Sequence, residues 1–139
     1  MDVQELSETQ TMVRDAVRDL ARKEFLPRAA KLDESGEFPW DNFKKLAELG
    51  LTGIPIPEDY GGAGADTLSM AVALEEIAKA CGSTCLTLAA HTSLGTMPIF
   101  LFGSDELKRA YVPPNARGET IGSYGTTVVH GPHDPIDAA

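Results

Sequence analysis

Ala80-Cys81-Gly82-Ser83-Thr84-Cys85-Leu86-Thr87-Leu88-Ala89-Ala90-His91-Thr92-Ser93-Leu94-Gly95-Thr96-Met97-Pro98-Ile99-Phe100-Leu101-Phe102-Gly103-Ser104 runs 25 positions without a formally charged residue. A helix of that length reaches across a bilayer. Its composition argues otherwise: seven Ser/Thr, three Gly, His91 and Pro98 interrupt the run, and only Lys79 and Lys108 flank it. The expectation is a central helix surrounded by other helices. Buried hydroxyls need backbone or water partners, so the same polar-dotted pattern also suits a wall of a cavity for an elongated apolar ligand. Periodicity alone favours plain packing, with the cavity wall as the alternative.

Within this stretch Cys81 and Cys85 are the only cysteines of the chain, four apart and so on one face if helical. No second pair completes a zinc site, and His91 lies six residues further on. They read as reduced core cysteines behaving as small hydrophobes.

Upstream, Ser7 followed by Gln10 matches a capping box, and Val13, Ala16, Val17, Leu20, Ala21 and Phe25 recur at helical spacing. Pro27 is expected to kink or end that helix, with Arg28 to Glu34 as a continuation. After Gly36 and Pro39, a short helix with Trp40, Phe43, Leu46, Ala47 and Leu49 stops at Gly50. Leu51 to Pro57 is expected to run extended and buried, because Pro55 and Pro57 push the preceding residues out of the α region. Gly61-Gly62-Ala63-Gly64 comes next as a structural turn; it matches neither the dinucleotide fingerprint nor the P-loop spacing. Asp66 caps the next helix, which Gly82 ends, and Ser83 caps the one after.

Downstream, Ser104 caps a helix opened by Asp105 and Glu106 and terminated by Pro113-Pro114. Gly118-Glu119 reads as a turn, and residues 120–129, rich in Thr, Val, Ile and Tyr, form the one strand candidate. Residues 130–139 lack periodicity and read as a loose tail, in which His130, His133 and Asp134 are solvated rather than metal ligands. The fold class is therefore all-α: five or six helices in an orthogonal or bundle-like arrangement, with a short extended strand near the C-terminus.

A chain of 139 residues suffices for about one domain, and its 42% hydrophobic content fits a globular fold. The net charge of −9, with no basic stripe, excludes nucleic acid and an anionic membrane surface as partners. Met1-Asp2-Val3-Gln4-Glu5 shows neither a secretory nor a transit pattern, so a cytoplasmic location is expected.

Taken in order, Phe25-Leu26-Pro27, Leu49-Gly50-Leu51, Pro57 to Gly64, Ser93 to Ile99, Phe102 to Lys108 and Gly118 to Gly122 resemble one family. It is the flavin-dependent acyl-CoA dehydrogenases, whose N-terminal helical domain the chain is similar to from about Leu6 to Thr127. Each piece is weak alone; six in order are specific.

The resemblance implies FAD-dependent α,β-dehydrogenation of an acyl-CoA thioester, in which a glutamate takes the α proton and FAD accepts the β hydride. The reduced flavin then passes electrons to an electron-transfer flavoprotein. Matched acyl-chain positions are Thr87, Ala90 and Leu94, and matched flavin positions are Tyr124, Thr126 and Thr127, with Thr127 near the flavin N5. The likeness fails after Thr127: where the family has Glu-Pro and then a Gly-Ser-Asp group, this chain has Val128-Val129-His130-Gly131. The family's middle β-domain and C-terminal four-helix domain have no counterpart here, so no catalytic residue and no metal ligand is nominated. The implied boundaries are 1–119 for the helical domain, 120–129 for the start of the β-domain strand and 130–139 for the divergent tail.

The expected function is therefore that of an N-terminal fragment, not catalytic alone. Its partners would be acyl-CoA and either a second copy or a chain supplying the missing domains. The rivals are a non-catalytic helical module that binds an acyl chain or a partner chain, and an inactive gene remnant.

Overall fold

Three helices begin where a short side chain turns back to accept a backbone N–H. The computed structural model describes residues 5–125. Ser7 caps α1 (Glu8–Leu20), its hydroxyl accepting from the Gln10 N–H while the Gln10 side chain accepts from the Ser7 N–H. Asp66 caps α4 (Thr67–Ala78), accepting from the Ser69 N–H at 2.7 Å and from the Gln10 side chain at 2.7 Å. Ser104 caps α7 (Asp105–Ala116) through the Leu107 N–H. Between these lie α2 (Leu26–Ser35), α3 (Trp40–Glu48), α5 (Gly82–Ala89) and α6 (Met97–Phe102).

Pro27 does not end the first helix, which continues as expected through Arg28 to Glu34. A π turn over Ala21–Phe25 joins α1 to α2, and the Leu26 N–H reaches five residues back to the Ala21 carbonyl. That wider register sits just before the proline, so the missing N–H and the ring fall where the α ladder is already interrupted. The same arrangement recurs before Pro98: a π turn over Ala90–Thr96 joins α5 to α6, with the Met97 N–H bonded to the Thr92 carbonyl. Among the described residues the helices thus form five continuous rods, at 8–35, 40–48, 67–78, 82–102 and 105–116.

Packing runs α1 on α4, α4 on α5, α3 on α5 and α6 on α7. The main core joins Val17, Ala21, Phe25, Leu46, Leu51, Ile54, Ala73, Ile77 and Leu88. A smaller cluster of Ile56, Val112 and Ala116 lies under Tyr60, Met97, Ile99 and Phe100.

Several expectations are corrected. Leu51–Gly53 is a 3-10 turn, and Ile54 keeps helical angles (φ −46°, ψ −56°) despite the proline after it. The tight turn, tied by Thr52 Oγ1 donating to the Ala116 carbonyl at 2.8 Å, delivers Leu51 and Ile54 to one core and Ile56 to the other. The expected burial is present, and the expected extended conformation is not. Gly82 opens α5 rather than ending α4, and Cys81 rather than Ser83 stands at the cap position. Pro113 and Pro114 lie inside α7, which continues to Ala116 because Arg117 and Glu119 donate back to their carbonyls at 3.1 and 2.9 Å. The strand expected over 120–129 finds no strand at 121–125, and its remainder, like the tail residues His130, His133 and Asp134, lies outside the described residues.

The largest correction concerns the 82–102 rod, which is not enclosed on all sides. Thr84, Leu88, His91, Thr92, Gly95 and Thr96 are buried, whereas Leu86, Leu94, Leu101 and Phe102 are exposed. An 18-residue window of the rod has a mean hydropathy of 1.4, long and apolar enough to cross a membrane by length and composition only, a property that core helices share. Yet its polar side is the side packed against the protein.

Candidate functional site: an apolar groove beside a polar seam

The outward face of the 82–102 rod lines a groove of about 480 Å³. Leu94, Pro98 and Phe102 succeed one another at intervals of four, one helical face, with Gly95, Ile99 and Gly103 beside them. Leu107 and Tyr111 of α7 form the opposite wall, and Ser123 and Tyr124 form the rim. No lining residue is charged. Such a surface takes an apolar chain or a flat ring and offers no cation for a phosphate.

Behind the groove runs a polar seam. Asn42 donates to Thr84 Oγ1 at 2.9 Å, and that hydroxyl donates to Cys81 Sγ at 3.1 Å. Thr96 Oγ1 donates to the His91 carbonyl at 2.9 Å, beside the register break of the π turn. The His91 ring is fully buried, accepts the Gly122 N–H on Nδ1 at 2.9 Å and faces the Asn115 carbonyl with Nε2 at 3.0 Å. Those partners fix the neutral Nε2–H tautomer. Burial holds the imidazole pKa below its ordinary value, only partly offset by the Asn115 and Thr52 backbone. Phe43 packs edge-on against the ring, centroids 5.2 Å apart.

The acyl and flavin positions fare differently. Leu94 and Tyr124, one from each set, lie on the same groove. Thr87 is half-buried one turn and more upstream, its hydroxyl donating to the Ser83 carbonyl at 2.8 Å, and Ala90 is half-buried nearby; neither lines the groove. Thr126 and Thr127 lie outside the described residues. Pattern reading passed over His91, Gly95, Phe102, Tyr111 and Gly122. Gly95, a glycine in mid-helix, was the available signal, since such a residue marks close backbone approach.

Neither rival chemistry finds support in the geometry. The glycine-rich turn spends its amides on backbone carbonyls, Ala63 on Gly53 at 2.9 Å and Gly64 on Ile56 at 2.8 Å, leaving no anion nest there. Cys81 and Cys85 are free thiols, and among the described residues no three His, Cys, Asp or Glu gather as a metal site.

The family profile described as "Acyl-CoA dehydrogenase, N-terminal domain" matches residues 7–119. The chain belongs to the acyl-CoA dehydrogenase family. It is 53% identical over 123 residues to the probable acyl-CoA dehydrogenase YngJ of Bacillus subtilis, covering 88% of this chain and 32% of that protein. A chain in a solved structure of the electron transferring flavoprotein of Acidaminococcus fermentans superposes with a TM-score of 0.87 at 37% identity, covering 94% of this chain and 34% of that one. Acyl-CoA dehydrogenase complexed with FAD from Bacillus anthracis superposes at 0.86 and 34% identity, covering 99% and 24%. The chain thus spans about a third of the length of the Bacillus subtilis relative, and about a third and about a quarter, respectively, of the two solved chains. The all-α architecture, five rods among the described residues, is that of the N-terminal domain.

Proposed function

We propose that these residues form one wall of the acyl and flavin site of an FAD-dependent acyl-CoA dehydrogenase and do not catalyse alone. The observation that carries this is the meeting of Leu94 and Tyr124 on one uncharged groove. FAD, when bound, supplies the hydride-accepting chemistry. On this side Tyr124 and the apolar lining suit the edge of a ring or an acyl chain, while no basic residue of the groove meets a pyrophosphate. The fit is therefore partial: the chain offers a face, and the rest of the cofactor's contacts belong to domains beyond these residues.

In this reading Thr87 and Ala90 extend the acyl wall along the rod, and Thr126 and Thr127 continue the flavin edge from Tyr124. Residues 1–119 act as the helical domain and 120–129 lead into the β-domain. The remaining domains of the family complete the site, and the assembled enzyme passes electrons to an electron-transfer flavoprotein; the likeness to a chain of such a flavoprotein structure supports that partner. The cytoplasmic location belongs to the same proposal.

The test is purification of this chain alone and together with a polypeptide supplying the remaining two thirds of a relative. The expected result is no flavin absorbance in the first sample, and FAD retention with acyl-CoA turnover in the second. Stoichiometric FAD on the chain alone, or no flavin in either sample, overturns the reading. Saturable acyl-CoA binding by the chain alone without complementation would favour a stand-alone binding module.

A further inference from the structure

We propose that His91 is a positioning residue that fixes where the chain leaving α7 reaches the groove, and thereby where Tyr124 stands on its rim. The functional meaning of that rim rests on the proposed acyl and flavin wall; the geometry does not.

After α7 the backbone reverses at Gly118 (φ 68°), and residues 119–125 join no helix or strand. They are held by single bonds. Glu119 donates to the Pro114 carbonyl at 2.9 Å, the Thr120 hydroxyl donates to Asn115 Oδ1, and the Gly122 N–H donates to His91 Nδ1 at 2.9 Å. Of these anchors the His91 bond is the one nearest Tyr124, two residues before it. It comes from a ring that cannot move: Nε2 is committed to the Asn115 carbonyl, and the Phe43 edge closes one side. One imidazole therefore ties the 82–102 rod, the end of α7 and the rim segment together.

Two glycines make this approach possible. A Cβ on Gly95 would stand 2.5 Å from the Gly122 Cα and 2.8 Å from its carbonyl oxygen, closer than side-chain atoms come to backbone. The rod therefore presents bare backbone at Gly95, and the segment crosses it with bare backbone at Gly122. One turn earlier, His91 supplies the acceptor. A helix interior has few free acceptors, because its carbonyls are spent within the ladder. A side-chain nitrogen meets the need while its other nitrogen satisfies α7. An apolar ring of similar size would fill the space and leave the Gly122 N–H without its acceptor, while the Asn115 carbonyl would keep only its backbone donor, the Gly118 N–H at 2.9 Å.

The test uses the full 139-residue chain and nuclear magnetic resonance. In the wild type, ring nitrogen shifts should report the Nε2–H tautomer, and a coupling across the hydrogen bond should join Gly122 N to His91 Nδ1. In His91→Phe, Gly122 amide exchange should accelerate at least tenfold and the Tyr124 resonances should shift. His91→Asn, whose side-chain oxygen can replace Nδ1 as acceptor, should restore most of the protection and the Tyr124 shifts. A role in packing alone predicts the reverse ranking, since Phe conserves ring volume and Asn does not. A wild-type Nδ1–H tautomer, an absent coupling, or Gly122 protection unchanged in His91→Phe overturns the proposal. The tautomer and coupling need no variant, so a misfolded His91→Phe leaves the test intact. Every readout is of this chain without flavin, so failure of complementation with FAD would sink the functional reading and leave this one standing.

Discussion

Breaking the ion pair between α1 and α4 should destabilise the domain in a pH-dependent way. Arg18 Nε donates to Glu76 Oε2 and Nη2 to Oε1, each at 3.0 Å, a two-pronged contact, and Lys79 Nζ lies 2.9 Å from Oε1. Glu76 is 6% exposed, while the Arg18 side chain keeps 34% of its surface in water. The Arg18 hydrogen bonds, helped by Lys79 and opposed by burial, hold the Glu76 carboxyl down at about 2 against an ordinary 4.5. Taken at face value that preference is worth ~3 kcal/mol; solvent around Arg18 screens it, and ~1–2 kcal/mol is the expected coupling. Because the folded pKa is depressed, this stability is fully present above pH 4.5 and drains away as pH falls toward 2. The assay is urea unfolding, followed by helical circular dichroism, of wild type, Arg18→Met, Glu76→Gln and the double variant at pH 7 and pH 2.5. Methionine keeps the packing of the arginine stem, so the cycle isolates the charge. A coupling below ~0.3 kcal/mol at pH 7, or one equally large at pH 2.5, refutes the reasoning.

Other outcomes are expected from the same geometry. Gly95→Ala forces the Gly122 backbone outward by roughly 1 Å, which should cost about 1–3 kcal/mol in thermal unfolding and expose the Gly122 amide to exchange. Leu88→Ala empties a fully buried site and should cost about 2–5 kcal/mol in urea unfolding. Phe102→Ala, at a residue 85% exposed, should change the stability of this chain by less than ~0.5 kcal/mol and yet weaken FAD retention in the complemented enzyme. His91 is neutral when folded with a depressed pKa, so stability should fall as pH drops below about 6.5, and His91→Asn should flatten that limb of the profile. The groups that face the ring from α3, the 3-10 turn, α7 and the rim are Phe43, Thr52, Asn115 and Gly122, none of them charged.

What was legible in the sequence was local. Ser7, Asp66 and Ser104 cap their helices because donor and acceptor lie within three residues, and no distant partner can change that. Gly50 was readable as a helix stop and Gly118 as a turn for the same reason, both adopting the left-handed conformation that glycine tolerates. The effect of each proline depends on what surrounds it and is not legible locally. Pro27 and Pro98 come after π turns that no pattern announces, and Pro113 and Pro114 stay helical once Arg117 and Glu119 return to their carbonyls. Leu51 to Pro57 folds into a tight turn because Thr52 finds a carbonyl 64 residues away, a partner invisible to local propensity.

The orientation of the 82–102 rod is the point at which local reading and function meet. With no charge to mark its outer side, the rod offers either its hydroxyls or its leucines to the core, and the usual preference would bury the leucines. The partners decide the other way. Asn42, Thr52, Asn115 and Gly122 each present a polar group to the seam, and a hydroxyl or imidazole buried against them makes those bonds, whereas a leucine there would forfeit them. From this rod Leu88 joins the main core, with Cys85 packed against it. The consequence is that Leu86, Leu94, Leu101 and Phe102 stay exposed among the described residues. A domain that finished its own burial would gain by the opposite rotation, so the polar seam reads as the device that turns the apolar face toward ligand and neighbouring domains. Replacing the seam rather than the groove is therefore the informative perturbation: Thr92→Val with Thr96→Val removes the hydroxyls that donate to the Thr52 and His91 carbonyls while leaving the apolar lining in place. If that double variant keeps the Leu94 and Phe102 exposure to a hydrophobic dye unchanged, the seam is not what orients the rod.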